Sequence, residues 1–271
     1  MIRYSILASG SSGNSIYIGS NGYNFLIDAG ISGRRIDEEL KNLDVNPSDL
    51  DGIFVTHEHD DHIKSVGVYA RKYRIPIYLN NNTYRNLPST VGKIDETLIN
   101  IFNTGVTKEF GELKVESFGV SHDAIEPVGY IVREKNLKLS ILTDLGYVSQ
   151  KIKDKIRGSN VFLFEANHNI EMLRMSSYPW VTKQRILSDI GHLSNEAAGE
   201  ALAEVITSDT QCVYLCHVSK ENNLRELARI TVENILDSYN ISRNKLRLMD
   251  TYSHKSTELE ILEIKEEILL K

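Results

Sequence analysis

Residues 57 to 62 carry four groups able to bind a metal: His57, His59, Asp61 and His62. They follow a short apolar run, residues 52–56, that reads as a buried strand. Just past a strand end, residues two apart tend to point the same way, so His57 and His59 can hold one ion from one side. Asp61 and His62 come one turn later and face a second ion nearby. Imidazole suits Zn, Fe, Ni or Cu, and a carboxylate widens the choice to Mn. The competing explanation, ordinary capping and loop residues, needs three His and an Asp to fall at this spacing by accident. A dinuclear site also needs more ligands than one motif supplies. The chain must therefore bring further His and Asp to this loop from distant strands.

Length permits this. A chain of 271 residues with 41% apolar residues can bury a large core, as one big α/β domain or two small ones. No apolar run approaches the ~18 residues of a transmembrane helix. Residues 1–8 enter a strand-like run with no basic and apolar leader regions. A cytoplasmic location and no membrane partner are expected. Cys212 and Cys216 make no disulfide framework; on a strand they share one face beside His217, which favours packing over metal or redox work. The net charge of −6 argues against a wholly basic nucleic-acid surface. It does not exclude a nuclease, because two divalent ions would add positive charge that the formal count omits.

Strand patterns occupy residues 3–8, 15–19 and 23–28, the last two joined by the hairpin turn Ser20-Asn21-Gly22. Ser32 can cap a helix over 33–43. A helix is expected over 64–73 and a strand over 77–79. The Asn-rich region 80–103 reads as a short helix, an irregular stretch and one strand. Further strands are expected at 113–117, 128–133, 138–143, 161–165, 211–215 and 245–248, and helices at 149–156, 194–206 and 224–235. The tail from Glu258 fits a strand, a helix, or one then the other. Residues 168–191, with Met172, Met175, Tyr178, Trp180, Arg174, Lys183 and Arg185, read either as a lid beside a site or as a helix pair packed on the core. There is no tandem repeat and no low-complexity linker. The class is mixed α/β.

The later apolar strands end in suitable ligands. His122 follows Val120-Ser121, Asp144 follows Leu142-Thr143, and His217 follows Leu215-Cys216. Strand ends are where α/β folds gather functional groups. This set, headed by an H-x-H-x-D-H pattern and in this order, resembles the metal motifs of the metallo-β-lactamase superfamily. The resemblance implies a four-layer αβ/βα sandwich and two divalent ions, Zn or Mn before Fe. By it, His57, His59 and His122 hold one ion, Asp61, His62 and His217 the other, and Asp144 bridges both. Asp28, in Phe25-Leu26-Ile27-Asp28-Ala29-Gly30, matches an early Asp that orients the ligands, since imidazoles need partners to fix tautomer and ring angle. A turn residue before Gly30 is the plainer reading.

The second half narrows the resemblance. Phe164-Glu165-Ala166-Asn167-His168, Gly191-His192-Leu193-Ser194-Asn195 and the 216–223 stretch, with the Ser9-Gly10-Ser11-Ser12-Gly13-Asn14-Ser15 start, look like the YycJ/WalJ group of DNA exonucleases. The likeness spans nearly the full chain, taken as one domain over 1–271. Only residues 145–216 separate Asp144 from His217, too few for the inserted β-CASP domain of some relatives, and no long Gly/Pro-rich arm of the tRNA-processing type is present. The group implies nucleic acid as partner and DNA exonuclease activity, 5′ to 3′ and tied to DNA repair or processing; the residues themselves leave polarity open. Asp61, His192 and Glu165 are the implied catalytic residues, with His192 protonating the leaving oxygen and Glu165 orienting it. Helix capping for His192 and a backbone-bonded strand end for Glu165 are the alternatives. Candidate substrate contacts are Ser12 and Asn14 in the early turn, Lys220, Asn222 and Asn223 near a helix start, His168, and Trp180 and Lys183 in the 168–191 segment. A small-molecule hydrolase acting on a cyclic phosphodiester or thioester, an RNA-processing nuclease, and a non-catalytic module are the competing functions.

Overall fold

The computed structural model describes residues 1–242 and 246–263. Its first half opens with three antiparallel strands, β1 (Ile2–Ala8), β2 (Ser15–Ser20) and β3 (Tyr23–Ile27). Asn21 and Gly22 both take positive φ, 50° and 87°, as a two-residue hairpin loop requires. Helix α1 (Gly33–Asn42) follows, with the Ser32 hydroxyl accepting from Arg35 N. Parallel strands β4 (Gly52–Phe54), β5 (Ile77–Leu79) and β6 (Ile99–Ile101) then extend the sheet. The helix expected over 64–73 is α3 (Val66–Tyr73), two residues shorter at its start, and a short helix not foreseen, α2 (Asp60–Ile63), precedes it across Lys64-Ser65. The short helix of the Asn-rich region is α4 (Asn81–Arg85), capped by the Asn80 side chain on Thr83 N.

The second half repeats this plan. Strands β7 (Thr107–Phe110), β8 (Leu113–Gly119), β9 (Val128–Glu134) and β10 (Leu137–Leu142) are antiparallel neighbours. Strands β11 (Val161–Glu165), β12 (Cys212–Cys216) and β13 (Arg247–Asp250) continue in parallel. Strand β7 was not foreseen, and β13 starts two residues later than expected; Lys245 lies outside the described residues. Helices α5 (Gln150–Ile156), α8 (Asn195–Val205) and α9 (Arg225–Ser238) fall where apolar periodicity placed them, and α6 (Ile170–Met175) and α7 (Trp180–Ile186) form a helix pair in the 168–191 segment. The tail contributes β14 (Glu260–Leu262), whose edge joins β1; residues after 263 lie outside the described set.

Each sheet has seven strands, in the orders β14-β1-β2-β3-β4-β5-β6 and β13-β12-β11-β10-β9-β8-β7. Three antiparallel pairings followed by three parallel ones occur in both. The sequence has no repeat because connectivity recurs here, while the side chains do not. Alternation then sorts side chains into layers. Phe54 packs into the core between the sheets, and its neighbour Ile53 faces Leu40 and Tyr69 of α1 and α3. Likewise Cys212, Tyr214 and Cys216 face the central core, and Val213 and Leu215 face α5, α8 and α9. The result is helix, sheet, sheet, helix. Both thiols are free, and burial pushes each up to about 12. Among the described residues no helix is long and apolar enough to cross a membrane.

Candidate metal centre

Strands β3, β4, β8, β10, β11 and β12 end at one seam, and the ligand-type residues stand there. Three do so in a left-handed backbone: Asp28 after β3 (φ 60°), Asp144 after β10 (φ 55°) and His217 after β12 (φ 52°). That conformation is costly for a residue with a Cβ and persists only where the surroundings enforce it. The enforcing bonds are visible. Asp28 N donates to Phe54 O at 2.8 Å, and Asn167 Nδ2 donates to His217 O at 2.8 Å. Ser9 Oγ accepts from His217 N at 2.8 Å.

The loop after β4 is held as firmly. Asp28 accepts from Thr56 N on Oδ1 and from Thr56 Oγ1 on Oδ2, both at 2.8 Å, and His62 Nδ1 lies 2.7 Å from Oδ2. Thr56 Oγ1 also stands 2.9 Å from His57 Nδ1. Thr56 escaped the sequence reading, although its place directly before His57 was the available signal. Below the loop, Ala29 N donates to His62 O and Asn14 N to Asp61 O, each at 2.8 Å.

Three donor groups converge. In the first, His57 Nε2 and His59 Nδ1 are 3.1 Å apart, and both rings lie about 5 Å from that of His122. His122 is held by its Nδ1 on Gly191 O at 3.1 Å. Burial, then the charge on His62, keeps the His57 imidazole well below its usual pKa, which leaves it a neutral donor. In the second, Asp61 Oδ2 lies 3.6 Å from His62 Nε2 and 3.7 Å from His217 Nε2. The third group is Asp144 itself, which clusters with His57 of the first group and His62 of the second. Its Oδ2 is 3.0 Å from His62 Nε2, and its Oδ1 is 2.9 Å from His217 Nδ1. Burial opposes its charge, but His217 and His62 outweigh burial and hold the carboxyl well below the usual range.

His217 also approaches Glu165, with Nδ1 3.2 Å from Oε1, so it could be grouped with Glu165 and His192 as a ligand set. The bonding of Glu165 argues otherwise. Its Oε1 accepts from His192 Nδ1 at 2.7 Å, and its Oε2 accepts from Leu145 N and Leu193 N at 2.9 and 3.3 Å. A carboxylate with this many donors has no lone pair turned to a cation. The free atoms are elsewhere. His217 Nε2 is buried without a hydrogen-bond partner among the described residues, and Asp144 Oδ2 is buried with only the His62 imidazole beside it, at 3.0 Å. Buried carboxylate and imidazole atoms without full partners are the donor chemistry that divalent cations satisfy. The residues fit two such ions.

The centre opens into a polar pocket of about 480 Å3, walled among others by Ser11, Asp61, His192, Tyr178, Arg185 and Asn222. His192 is one-fifth exposed on that wall, with its Nδ1 held by Glu165. Burial opposes its protonation, but Glu165 and Asp144 raise its pKa. Tyr178, Thr182 and Arg185 come from the α6–α7 segment, so the helix pair also serves as a rim.

Several expected substrate contacts stand elsewhere. Lys183 is buried, and its ammonium donates to Arg174 O and Ser176 O at 2.6 and 2.7 Å, which ties α7 to the end of α6. Asn223 is buried and donates to Ala166 O and Asn167 O at 3.1 and 3.0 Å, a backbone brace behind the pocket. Asn14 faces inward: its Oδ1 accepts from Gly10 N at 2.9 Å, and its Nδ2 lies 3.1 Å from His62 Nε2. His168 is 1% exposed and off the pocket wall, and burial lowers its pKa to about 4. Trp180 is exposed at the start of α7 and does not line the pocket. Asn222 does, while Ser12 and Lys220 line a smaller cavity beside it.

Two stacked sheets of this connectivity, with His-rich loops at the strand ends of one seam, define a class. The model of the β-lactamase superfamily domain matches residues 23–218, and the chain belongs to that family. Nearer relatives carry names. The chain is 49% identical over 236 residues to exodeoxyribonuclease YycJ of Bacillus anthracis, covering 87% of this chain and 89% of that protein. It is 48% identical over 236 residues to exodeoxyribonuclease WalJ of Streptococcus pneumoniae serotype 2, covering 86% and 88%. The solved structure of Zn(2+)-bound PqqB from Methylobacterium extorquens has the same fold, with a TM-score of 0.71 at 13% identity, over 94% of this chain and 99% of that one.

Proposed function

We propose that this chain is a metal-dependent exodeoxyribonuclease, hydrolysing phosphodiester bonds from a DNA end. The observation that carries the reading is Asp144, whose Oδ2 stands 3.0 Å from His62 and whose Oδ1 stands 2.9 Å from His217, at the floor of a polar pocket that Asp144 and His217 line. Two relatives at 48–49% identity are named exodeoxyribonucleases. An open polar pocket suits a polymer end better than a small apolar ligand, which needs enclosure.

In this reading His57, His59 and His122 hold one divalent ion, Asp61, His62 and His217 the second, and Asp144 is shared. The imidazoles favour Zn, and the carboxylates admit Mn. Bound divalent ions acidify water and neutralise charge on phosphate oxygens. The remaining work falls to the chain's own groups. Asp28 and Thr56 lock the His62 ring. Glu165 accepts a hydrogen bond from His192 Nδ1, which leaves the Nε2 side of that ring to protonate the leaving oxygen. Asp61, the more exposed carboxylate, orients the attacking water from the pocket wall. Residues 1–271 act as one domain without an insertion, in the cytoplasm, where DNA repair or processing supplies ends.

The test is digestion of end-labelled duplex DNA with added Mn or Zn, using His62→Ala to control for contaminating nuclease. Stepwise shortening that needs metal and is absent from the variant supports the reading, and the labelled end gives the polarity, expected as 5′ to 3′. No digestion by a protein holding two ions per chain removes DNA as the substrate, in favour of RNA or a small phosphodiester.

A further inference from the structure

A second cavity, of about 180 Å3, opens beside the metal centre. Residues 10–12 form one wall, residues 218–221 the other, and Ser253 lies between them. It is continuous with the catalytic pocket, since Ser11, Tyr178 and Ser219 line both. Ser253 is 7% exposed, and its Oγ is buried with no hydrogen-bond partner among the described residues. Native proteins pair such a hydroxyl with a protein group, a water or a ligand.

The walls show which ligand. Gly10, at φ 138°, turns the chain so that Ser11 and Ser12 stand out at the wall; a Cβ on Gly10 would meet Ser253 Cβ at 3.5 Å and Val218 O at 3.8 Å. Hydroxyls therefore line one side, and Lys220, a cationic residue, is part of the other. Glu221 is the one carboxylate on the wall, and it lies against the Tyr178 phenol, whose pKa it raises after burial. Ser219 does not compete for the cavity, because its Oγ accepts from Asn222 N at 3.1 Å and closes its own turn. A cation with several free hydroxyls, in a space too small for a drug-sized ligand, matches a phosphate group.

We propose that this cavity holds the phosphate one nucleotide away from the bond being cut. The proposal rests on the phosphodiesterase reading above and adds to it a second grip on the same strand. Contacts to a neighbouring phosphate carry no sequence information, but they set the register of the strand. Each cut then falls a fixed step from the last. The group held is either an internal diester or the terminal monoester of the strand.

The experiment uses metal-loaded protein and end-labelled DNA duplexes in two arms. One arm compares ends bearing a terminal phosphate with ends bearing a hydroxyl. The other places a single neutral methylphosphonate at the first, second or third linkage. The readout is kcat/KM for the first cut, expressed as a ratio of modified to unmodified substrate within each protein. In the wild type, removing the charge next to the cut bond lowers the ratio about tenfold. In Lys220→Gln the ratio returns toward unity, and in Ser253→Ala it moves part of the way in the same direction. Because each ratio is internal to one protein, partial misfolding does not imitate the effect. Sensitivity in the methylphosphonate arm assigns the cavity to an internal diester, and sensitivity in the other arm assigns it to a strand end. Equal ratios in wild type and both variants overturn the proposal. A wild type that hydrolyses a small chromogenic diester but no duplex overturns the DNA reading, and the proposal with it.

Discussion

Adding one carbon at Gly30 should dismantle the metal loop. Gly30 lies directly beneath it, with its N–H on Asn14 O at 2.8 Å. A Cβ there would stand 1.7 Å from Asp61 O, whereas real Cβ atoms essentially never come within 3.0 Å of a neighbour. The obstacle is backbone, so no side chain can swing aside. The carbonyl must retreat by at least 1.3 Å, the difference between those distances. Asp61 and His62 move with it, and the bond from Asn14 N to Asp61 O at 2.8 Å is lost. Displacing reacting groups by about 1 Å costs on the order of a hundredfold in rate. Overpacking adds about 1–3 kcal/mol of destabilisation. Gly30→Ala is therefore expected to lose at least one ion by elemental analysis, and about a hundredfold in kcat/KM on DNA. Gly119→Ala is the control, since its Cβ meets only Thr104 Cγ2 at 3.6 Å. A Gly30→Ala protein with both ions and rates within about threefold of wild type would refute the argument, because so small a loss is under 1 kcal/mol.

Other substitutions test other parts. His192→Ala should keep both ions and lose about 10²–10⁴-fold in kcat, the usual worth of a positioned acid; near-normal turnover removes it from that role. Lys183→Met leaves the Arg174 and Ser176 carbonyls without their donor. A loss of about 1–3 kcal/mol is expected, with faster proteolytic nicking within 168–191; unchanged nicking would show that the tie is unimportant. Asp37 accepts from Tyr69, Tyr73 and Lys72 at 2.6, 2.8 and 3.0 Å. Burial opposes its charge, but these donors outweigh burial and hold the carboxyl below its usual pKa. Its folded pKa thus lies below the unfolded value of about 3.9, so its stabilisation is complete above that pH and fades as pH falls further. Asp37→Asn should be less stable than wild type at neutral pH, and the gap should close below about pH 4 in denaturant titrations. A pH-independent gap contradicts the charge account.

The fold was legible where local pattern and packing agree. Residues 52–55 carry no polar side chain because β4 is covered on both faces, by Phe54's core and by Ile53's. Strand β7 was missed because Thr107–Phe110 is an exposed edge whose pairing, including Glu109 opposite Lys114, is made by its partner strand. The ligand-type residues stood out because three imidazoles and a carboxylate share six positions. The substrate contacts were harder, since a long side chain goes where tertiary packing sends it. Lys183 reaches carbonyls seven and nine residues upstream, which no charge pattern announces. Asn14 and Asn223 are spent on internal bonds for the same reason. The side cavity was invisible because Ser253 is brought to residues 10–12 only by the completed fold.

The pairing of β1 with β14 joins Ile2 to Leu262. On a ribosome β1 is made well before the strand that covers its edge. Synthesis of the intervening stretch at about 5–20 residues per second leaves that edge open for roughly 10–50 s. An uncovered edge strand invites pairing with another chain. Arg3, on β1 and opposite Ile261, is the one charged residue in that strand. A charge on an edge of this kind opposes edge-to-edge association until β14 covers it, after which β14, β6, β7 and β13 are the edges left among the described residues.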